Sequence, residues 1–493
     1  MRFNEIREMF KLRPYQENCV RSIYDYINSD RHDPVLVVAP VAAGKSLLLA
    51  EAARIMGGNT IILQPSKELL QQNYDKLISY NISATIYSAS CGKKELSNMI
   101  YATLGSVKKV IGQLKEMGIR NVLIDEAHAG YSPEEDSEFM KFMNELKPSK
   151  VIGFTATPCR LKTMSIGQVS YSQLNFITRM RPVYFKNLIH VIQVEEMIRQ
   201  GFWTPLKYET WDFNGDALKL NSNGSEYTAE SISEAVRKNG LNNLILRRLM
   251  ILKNSCKSIL VFMDSVESCN TAAEWINAKI CAGMAEVVHG GTPKKQREAI
   301  VERFKSGGTQ VVFNYSALGT GFDHPGLDCV VFGRPTFSFS TWYQAIGRAV
   351  RIKDGKDSAM VVDCCDNSSR FGDIRGLSIE NYKGYGWGMF IGDKLITNIP
   401  MGDKVTKTDM DIKAAKKDRR RGLAQGITAS PVPGRPDHPL GSTVMTFGKY
   451  SGWMLHSIPV SYFKFINETF DWDNDRNKEI KEYIDFLIKN NRL

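Results

Sequence analysis

The chain has 493 residues, 43% hydrophobic and 24% charged, with a formal net charge of +11. These values allow roughly two to four domains with sizeable cores, exclude a disordered or fibrous chain, and leave no apolar run near the ~18 residues of a membrane span. Nine cysteines without C-x-x-C pairs and only seven histidines speak against a disulfide framework or structural zinc, while the positive charge favours a polyanionic partner.

The opening "MRFNEIREMFKLRPYQ" threads charges through its apolar residues, unlike an export leader, so the thiols are expected to be reduced, in a cytoplasm. Over the first ~200 residues, short β-branched runs alternate with helical segments. "PVLVVAP", "TIILQP", "NVLIDE" and "KVIGFTAT" read as buried parallel strands, with "SLLLAEAARIM" and "SKELLQQNYDKLISY" as helices between them. The joining stretch "SYSQLNFITRMRPVYFKNLIHVIQVEEMIRQGFW" reads as largely helical. A second series of strands follows: "SILVFM", "AEVVHG", "TQVVFNY", "DCVVFG" and "AMVVDC". Both halves are therefore expected to be α/β domains with helices covering a parallel sheet. The strand–helix rhythm stops after ~370. Asp403 to Gly422 holds eight Lys/Arg against four Asp, "ASPVPGRPDHPLG" reads as a linker, and the last ~50 residues regain aromatics as a small folded appendage.

Three constellations carry chemistry. "APVAAGKS" at 39–46 lies between a strand and a helix, where backbone N–H groups and the helix N-terminus can face phosphate oxygens. Ala39 replaces the first glycine of the usual G-x-x-x-x-G-K-[ST] pattern, but Gly44 is kept and Ala42 and Ala43 are small. Lys45 would reach the outer phosphates and Ser46 would offer its hydroxyl to Mg²⁺. "VLIDEAH" then delivers Asp125 and Glu126 from a buried strand into a polar turn. Such a pair is often a helix cap; with Mg-ATP bound, Asp125 would hold the metal and Glu126 would polarise the attacking water. In "YQAIGRAVR", Arg348 and Arg351 stand three apart and share a helix face, as a solvated pair or as groups that stabilise charge on a γ-phosphate.

Taken in order, these residues resemble the superfamily 2 helicases and translocases of the DEAH type. The resemblance covers residues ~10–365 and implies two tandem RecA-like parallel-sheet domains, 1–205 and 206–370. A basic extension and linker, 371–440, and a small module, 441–493, would follow. "LRPYQ" resembles the adenine-recognition motif, with Gln16 on the base edge and Arg13 assisting. "QPSKELLQQ" and "ATLGS" resemble segments that hold a nucleic-acid backbone, which implies hydroxyl contacts from Ser66, Thr103 and Ser106. His128 with "TAT", Thr155 to Thr157, resembles the elements that couple hydrolysis to movement. "ALGTGFDHPGLDCVVFGRP" resembles motif V, where Gly321 lets the backbone pass close and Asp323 sits near the nucleotide. Motif VI would place Gln344, Arg348 and Arg351 across the cleft.

What the resemblance implies is an ATP- and Mg²⁺-dependent DNA motor, similar to phage and bacterial branch-migration helicases. Forks, junctions or displacement loops would be its substrates, with 3′→5′ movement, and one chain would suffice for one ATP site. Single-strand-binding or nuclease proteins are expected partners; no membrane is. An RNA helicase, the motor subunit of a restriction or defence complex, and a DNA-binding scaffold are the alternatives. Lys416, Lys417 and Arg419 either track a DNA backbone or form a solvated tail. The segment "VMTFGKYSGWMLHSIPVSYFKFI" resembles a small module found beside DNA-processing enzymes. Its aromatics either stack on unpaired bases or fill a core.

Overall fold

The computed structural model describes residues 12–166, 169–318, 322–382, 385–401 and 403–411, and, nearer the C-terminus, 440, 443, 445, 450, 454–455, 458, 460–469, 472 and 477–490. Gly321, Lys416, Lys417 and Arg419 lie outside the described residues. The chain divides into two compact units, Met1–Ala414 and Ala415–Leu493. Among the described residues, no helix is long and apolar enough to cross a membrane.

The first unit holds two parallel sheets. The strands of the first are β1 (Val35–Val38), β2 (Thr60–Leu63), β3 (Thr85–Ser88), β4 (Lys93–Lys94), β5 (Met99–Ala102), β6 (Asn121–Ile124) and β7 (Lys150–Thr155). A hairpin of β8 (Cys159–Ile166) and β9 (Val169–Phe176) follows, and β10 (Asn187–Val191) returns to the edge of the sheet. The order is β10-β1-β7-β6-β2-β5-β3-β4, parallel except for the last short strand. The second sheet, all parallel, contains β11 (Leu206–Thr210), β12 (Ile259–Phe262), β13 (Ala285–His289), β14 (Val311–Tyr315), β15 (Cys329–Phe332) and β16 (Ala359–Asp363). Its order is β11-β16-β15-β12-β14-β13.

Strand register explains where the motifs gather. Val38 lies opposite Thr155, Ile124 opposite Gly153, and Leu63 opposite both Ile124 and Ala102. The turns after β1, β2, β5, β6 and β7 therefore emerge along one carboxyl edge, the side on which open α/β sheets bind ligands. The central strands β1, β2, β12 and β15 are buried along their length, and Val35 to Val38 are fully buried.

Two expectations are corrected. Residues 170–203 are not largely helical: β9 and β10 occupy part of them, and the only α-helix there is the short Val194–Arg199. The buried residues Ser172, Leu174 and Phe176 recur with period two, the strand signature. Within 371–440, expected as extension and linker, β17 (Leu377–Tyr382), β18 (Gly386–Ile391) and β19 (Lys394–Leu395) form an antiparallel sheet. Leu377, Ile379 and Met389 bury their side chains in the main core, so this sheet belongs to the first unit.

The second unit pairs the helices Val460–Thr469 and Lys478–Lys489 around Phe463, Ile466, Tyr483 and Ile484. Phe463 is fully buried, whereas Phe465 is 58% exposed, so the aromatics divide between core and surface.

The Phe339–Ala349 helix carries Arg348 but ends before Arg351, so the two arginines expected to share one helix face do not; the helix is anchored by fully buried Trp342, 4.4 Å from the Phe332 ring. Its indole nitrogen is buried without a hydrogen-bond partner, so a phenyl ring should replace it at little cost. Trp342→Ala should lose about 3–5 kcal/mol of stability through cavity formation, and Trp342→Phe much less, as read by denaturant unfolding. Equal losses would show that packing of this ring is not what seats the helix.

Candidate active site

The loop after β1 shows which glycines the phosphate pattern needs. Ala39 extends the ladder by donating its N–H to Thr155 O at 3.0 Å, and is not among the residues with positive φ. A side chain there carries no conformational cost. Gly44 has φ of 83° and caps helix α2 (Lys45–Met56); a Cβ on it would meet Gln16 Nε2 at 2.5 Å, so both backbone and space require glycine. Ala42 holds φ of 65°, a left-handed conformation that costs an alanine roughly 1–2 kcal/mol.

Helix α1 (Pro14–Ile27) locks this loop from behind. Gln16 accepts from Arg13 N through Oε1 at 3.0 Å and donates through Nε2 to Ala43 O at 2.8 Å. Its amide, at the cavity lining, bonds at both ends inside the protein and ties α1 to the loop. Arg13 stacks its guanidinium 4.4 Å from the Phe202 ring, and Tyr15 meets the same ring edge-on at 5.4 Å. Phe202 was invisible to motif reading; the aromatic pair after Gly201 was its only sequence signal.

The carboxylates converge on Lys45. Its ammonium lies 2.6 Å from Asp125 Oδ1 and also pairs with Glu126 Oε1. Burial pulls the Lys45 pKa down, but the two carboxylates outweigh it and hold the group charged, above its ordinary value. Asp125, the deepest of the three, is pushed up by burial, partly offset by Lys45, while Glu126 adds like-charge repulsion. Glu126 itself has φ of 46°, a strained left-handed turn, with its N–H bonded to Asp125 Oδ1 at 2.9 Å. Two supports escaped sequence reading. Asn73, on helix α3 (Lys67–Ile78), donates to Asp125 Oδ2 at 2.8 Å, and Arg160 donates to the carbonyls of His128 and Tyr131, each at 2.6 Å.

Behind Glu126, His128 Nδ1 lies 3.3 Å from Glu126 Oε2 and 2.8 Å from Thr155 Oγ1, which accepts from Thr157 N at 3.0 Å. This chain runs from the carboxylate to the end of β7. Burial, with Lys45 and Arg160 adding repulsion, drops His128 to about 3, so the ring is neutral at pH 7.

The second sheet supplies the opposite wall. Arg348 is half-buried and donates Nη1 to Phe322 O; loss of solvent around it pulls its pKa to about 10, still charged at neutral pH, with Glu126 favouring the charged form. Arg351 pairs with Asp323, and burial lowers its pKa too. Gln344 donates to Ser340 Oγ at 3.2 Å. A Cβ on Gly347 would meet Val41 Cβ at 2.4 Å, so the arginine helix packs directly on the phosphate loop.

These walls enclose one cavity of about 840 Å³. Arg13, Gln16, Ala42, Gly44, Lys45 and Ser46 line it from one side, with Asp125 and Glu126 at its base; Asp323, Gln344, Arg348 and Arg351 line the other side. Ala43 is buried beneath, its carbonyl taken by Gln16. Ser66, Thr103 and Ser106 are not part of this cavity. Ser66 caps α3 through Leu69 N at 3.3 Å, and Thr103 and Ser106 join Ser88 in a hydroxyl network.

Residues 9–160 match the family described as type III restriction enzyme, res subunit, and residues 241–353 match the helicase conserved C-terminal domain. IRC3 of Saccharomyces cerevisiae, named as an ATP-dependent helicase, is 25% identical over 395 residues, covering 73% of this chain and 52% of that protein. A 51.5 kDa protein of a Lactococcus phage is 24% identical over 332 residues, covering 66% and 65%. The ATP-dependent DNA helicase Q-like 2 of Arabidopsis thaliana is 22% identical over 381 residues, covering 73% and 48%. The chain thus spans about half to two thirds of these relatives. Among solved structures, the Type ISP restriction-modification enzyme LlaBIII bound to DNA superposes with a TM-score of 0.53 at 16% identity, covering 72% of this chain and 28% of that one. A fragment of a type I restriction HsdR subunit from Vibrio vulnificus gives 0.52 at 18%, covering 74% and 66%.

His128 makes stability acid-sensitive. Its folded pKa of about 3 lies below the ordinary 6.5, so between these values the unfolded chain binds the extra proton. Its contribution is complete above pH 6.5 and is lost as pH falls toward 3, at up to ~1.4 kcal/mol per pH unit. Denaturation between pH 4 and 7 should show a shallower slope in His128→Asn than in the parent. An unchanged slope would contradict the buried neutral ring.

Proposed function

We propose that this chain, whose two α/β halves are those of a superfamily 2 helicase, is an ATP-driven motor that unwinds or remodels DNA. The observation that carries the reading is the composite cavity: a phosphate loop and paired carboxylates from one sheet face paired arginines from the other. Arriving phosphates would draw Lys45 away from Asp125 and Glu126. Glu126 would then orient and polarise the water that attacks the γ-phosphorus, with ADP leaving. Arg348 and Arg351 would stabilise the charge that develops on the transferred group.

The donor set fits Mg²⁺. Among the described residues, no group of three or more His, Cys, Asp or Glu could hold a metal alone, and Mg²⁺ is ordinarily held by one or two carboxylates with phosphates and water. Ser46 and Asp125 would hold it, and it would neutralise charge on the phosphate oxygens.

The net charge of +11 and the DNA helicase named among the relatives support DNA as the track. Ser66, Thr103 and Ser106, on adjacent turns of the carboxyl edge, would bind its phosphates, joined by the basic run at Lys416, Lys417 and Arg419. His128, Thr155 and Thr157 would couple hydrolysis to that grip. In this reading the motor is of the DEAH type, prefers forks, junctions or displacement loops, moves 3′→5′ and works as a monomer. A restriction or defence complex is the second reading, favoured by the match of residues 9–160. There the cutting would come from a partner.

ATP hydrolysis at fixed salt, without nucleic acid and with single-stranded, duplex, forked or four-way DNA and matched RNA, tests the proposal. Branched DNA should stimulate most, and Lys45→Ala or Glu126→Gln should lose about 100-fold or more while still binding DNA. Stimulation by RNA alone would replace DNA with RNA as the track. No hydrolysis under any condition would overturn the motor.

A further inference from the structure

The connector between the two sheets touches both walls of the ATP cavity. After the Val194–Arg199 helix the chain turns at Gly201, φ 72°, and each of the next three residues makes a different contact. Phe202 lies against Arg13. Trp203, 4% exposed, donates Nε1 to Val41 O at 3.1 Å. Thr204, 3% exposed, donates its N–H to Val350 O and its hydroxyl to Arg351 O, both at 2.8 Å.

The partners of these bonds matter. Val41 is the residue that Gly347 packs against, so its carbonyl and side chain join the connector to the arginine helix. Val350 caps that helix and Arg351 follows it, where carbonyls have no partners within the helix and need others. Thr204 supplies two, and Lys356 Nζ closes the turn from the other side, 2.6 Å from Ala349 O and 2.9 Å from Arg351 O. Ala359 N then bonds Pro205 O at 2.8 Å, carrying the connector into the second sheet. Few covalent bonds separate the phosphate-loop contact from the arginine contact, so movement at one is imposed on the other.

We propose that Trp203 and Thr204 are positioning residues, holding the end of the helix that bears Arg348, and Arg351 just beyond it, in register with the phosphate loop. Neither touches the reacting atoms. Removing either bond leaves the nucleotide's contacts with the loop intact and lets the arginines drift, so the loss falls on turnover and not on affinity. This rests on the ATP-hydrolysing reading of the same cavity.

The test compares the full-length protein with Trp203→Phe, Thr204→Val and Thr204→Ser, measuring DNA-stimulated hydrolysis and binding of a fluorescent ATP analogue. Trp203→Phe and Thr204→Val should lower kcat about 10–100-fold, the scale of small misplacements of catalytic groups, with analogue affinity within about 2-fold. Thr204→Ser, which keeps the hydroxyl, should restore most of kcat. Melting temperature identifies folded variants, and if one of the two fails to fold, the other carries the test. Wild-type kcat in both, or a loss confined to affinity, overturns the proposal alone. Absence of hydrolysis in the wild type overturns the motor reading and this inference with it.

Discussion

One ammonium held between two buried carboxylates organises the site. Asp125 and Glu126 follow Val122 to Ile124, the buried end of β6, and neither charge could stay out of water unpaired. Lys45 meets both, and everything around the triad serves to place it. Gly44 takes the left-handed turn that starts α2, Asn73 holds the second Asp125 oxygen, and Arg160 clasps the carbonyls of the turn that follows. The strained φ at Glu126 is sustained because these partners over-determine it. A phosphate group is the kind of ligand that can compete for Lys45, so the pairing that stabilises the fold also readies the site for a nucleotide.

The second constraint is closeness. Val41 and Gly347 pack so tightly that no side chain fits between the phosphate loop and the arginine helix. That contact brings a wall from each sheet onto one cavity and places Arg348 where Glu126 influences it. Two halves that could be read from sequence as independent domains therefore share a buried core as well as a site.

Much of this was legible beforehand because parallel strands buried on both faces leave short apolar runs. All nine strands read from such runs, β1, β2, β6, β7 and β12 to β16, are present. Residues that carry chemistry at fixed spacing were also visible, and Lys45, Asp125, Glu126, Arg348 and Arg351 line one cavity. Supports were not. Asn73 looks like any polar residue of an amphipathic helix, Arg160 sits on β8, a stretch that carried no motif, and Phe202 belongs to no pattern. Their roles come from tertiary contacts with no local signature. The alternation in β9 was short and its buried positions begin with a serine, and the antiparallel β17–β19 is interrupted by glycines at 384, 386, 388 and 392. Ala39 proved harmless because strand pairing, not a left-handed turn, sets its backbone; the strained alanine is Ala42.

The central claim is that one chain completes one ATP site, and mixing two inactive variants tests it most directly. Lys45→Ala removes a group from the loop, and Arg348→Ala one from the facing helix. Each is inactive alone if both walls serve a single reaction. Equimolar mixing over a range of concentrations, with hydrolysis read in the presence of DNA, should give no recovery, because neither chain holds an intact pair of walls. Recovery that grows with concentration would show that the arginine comes from a second copy, and would contradict a site built within one chain.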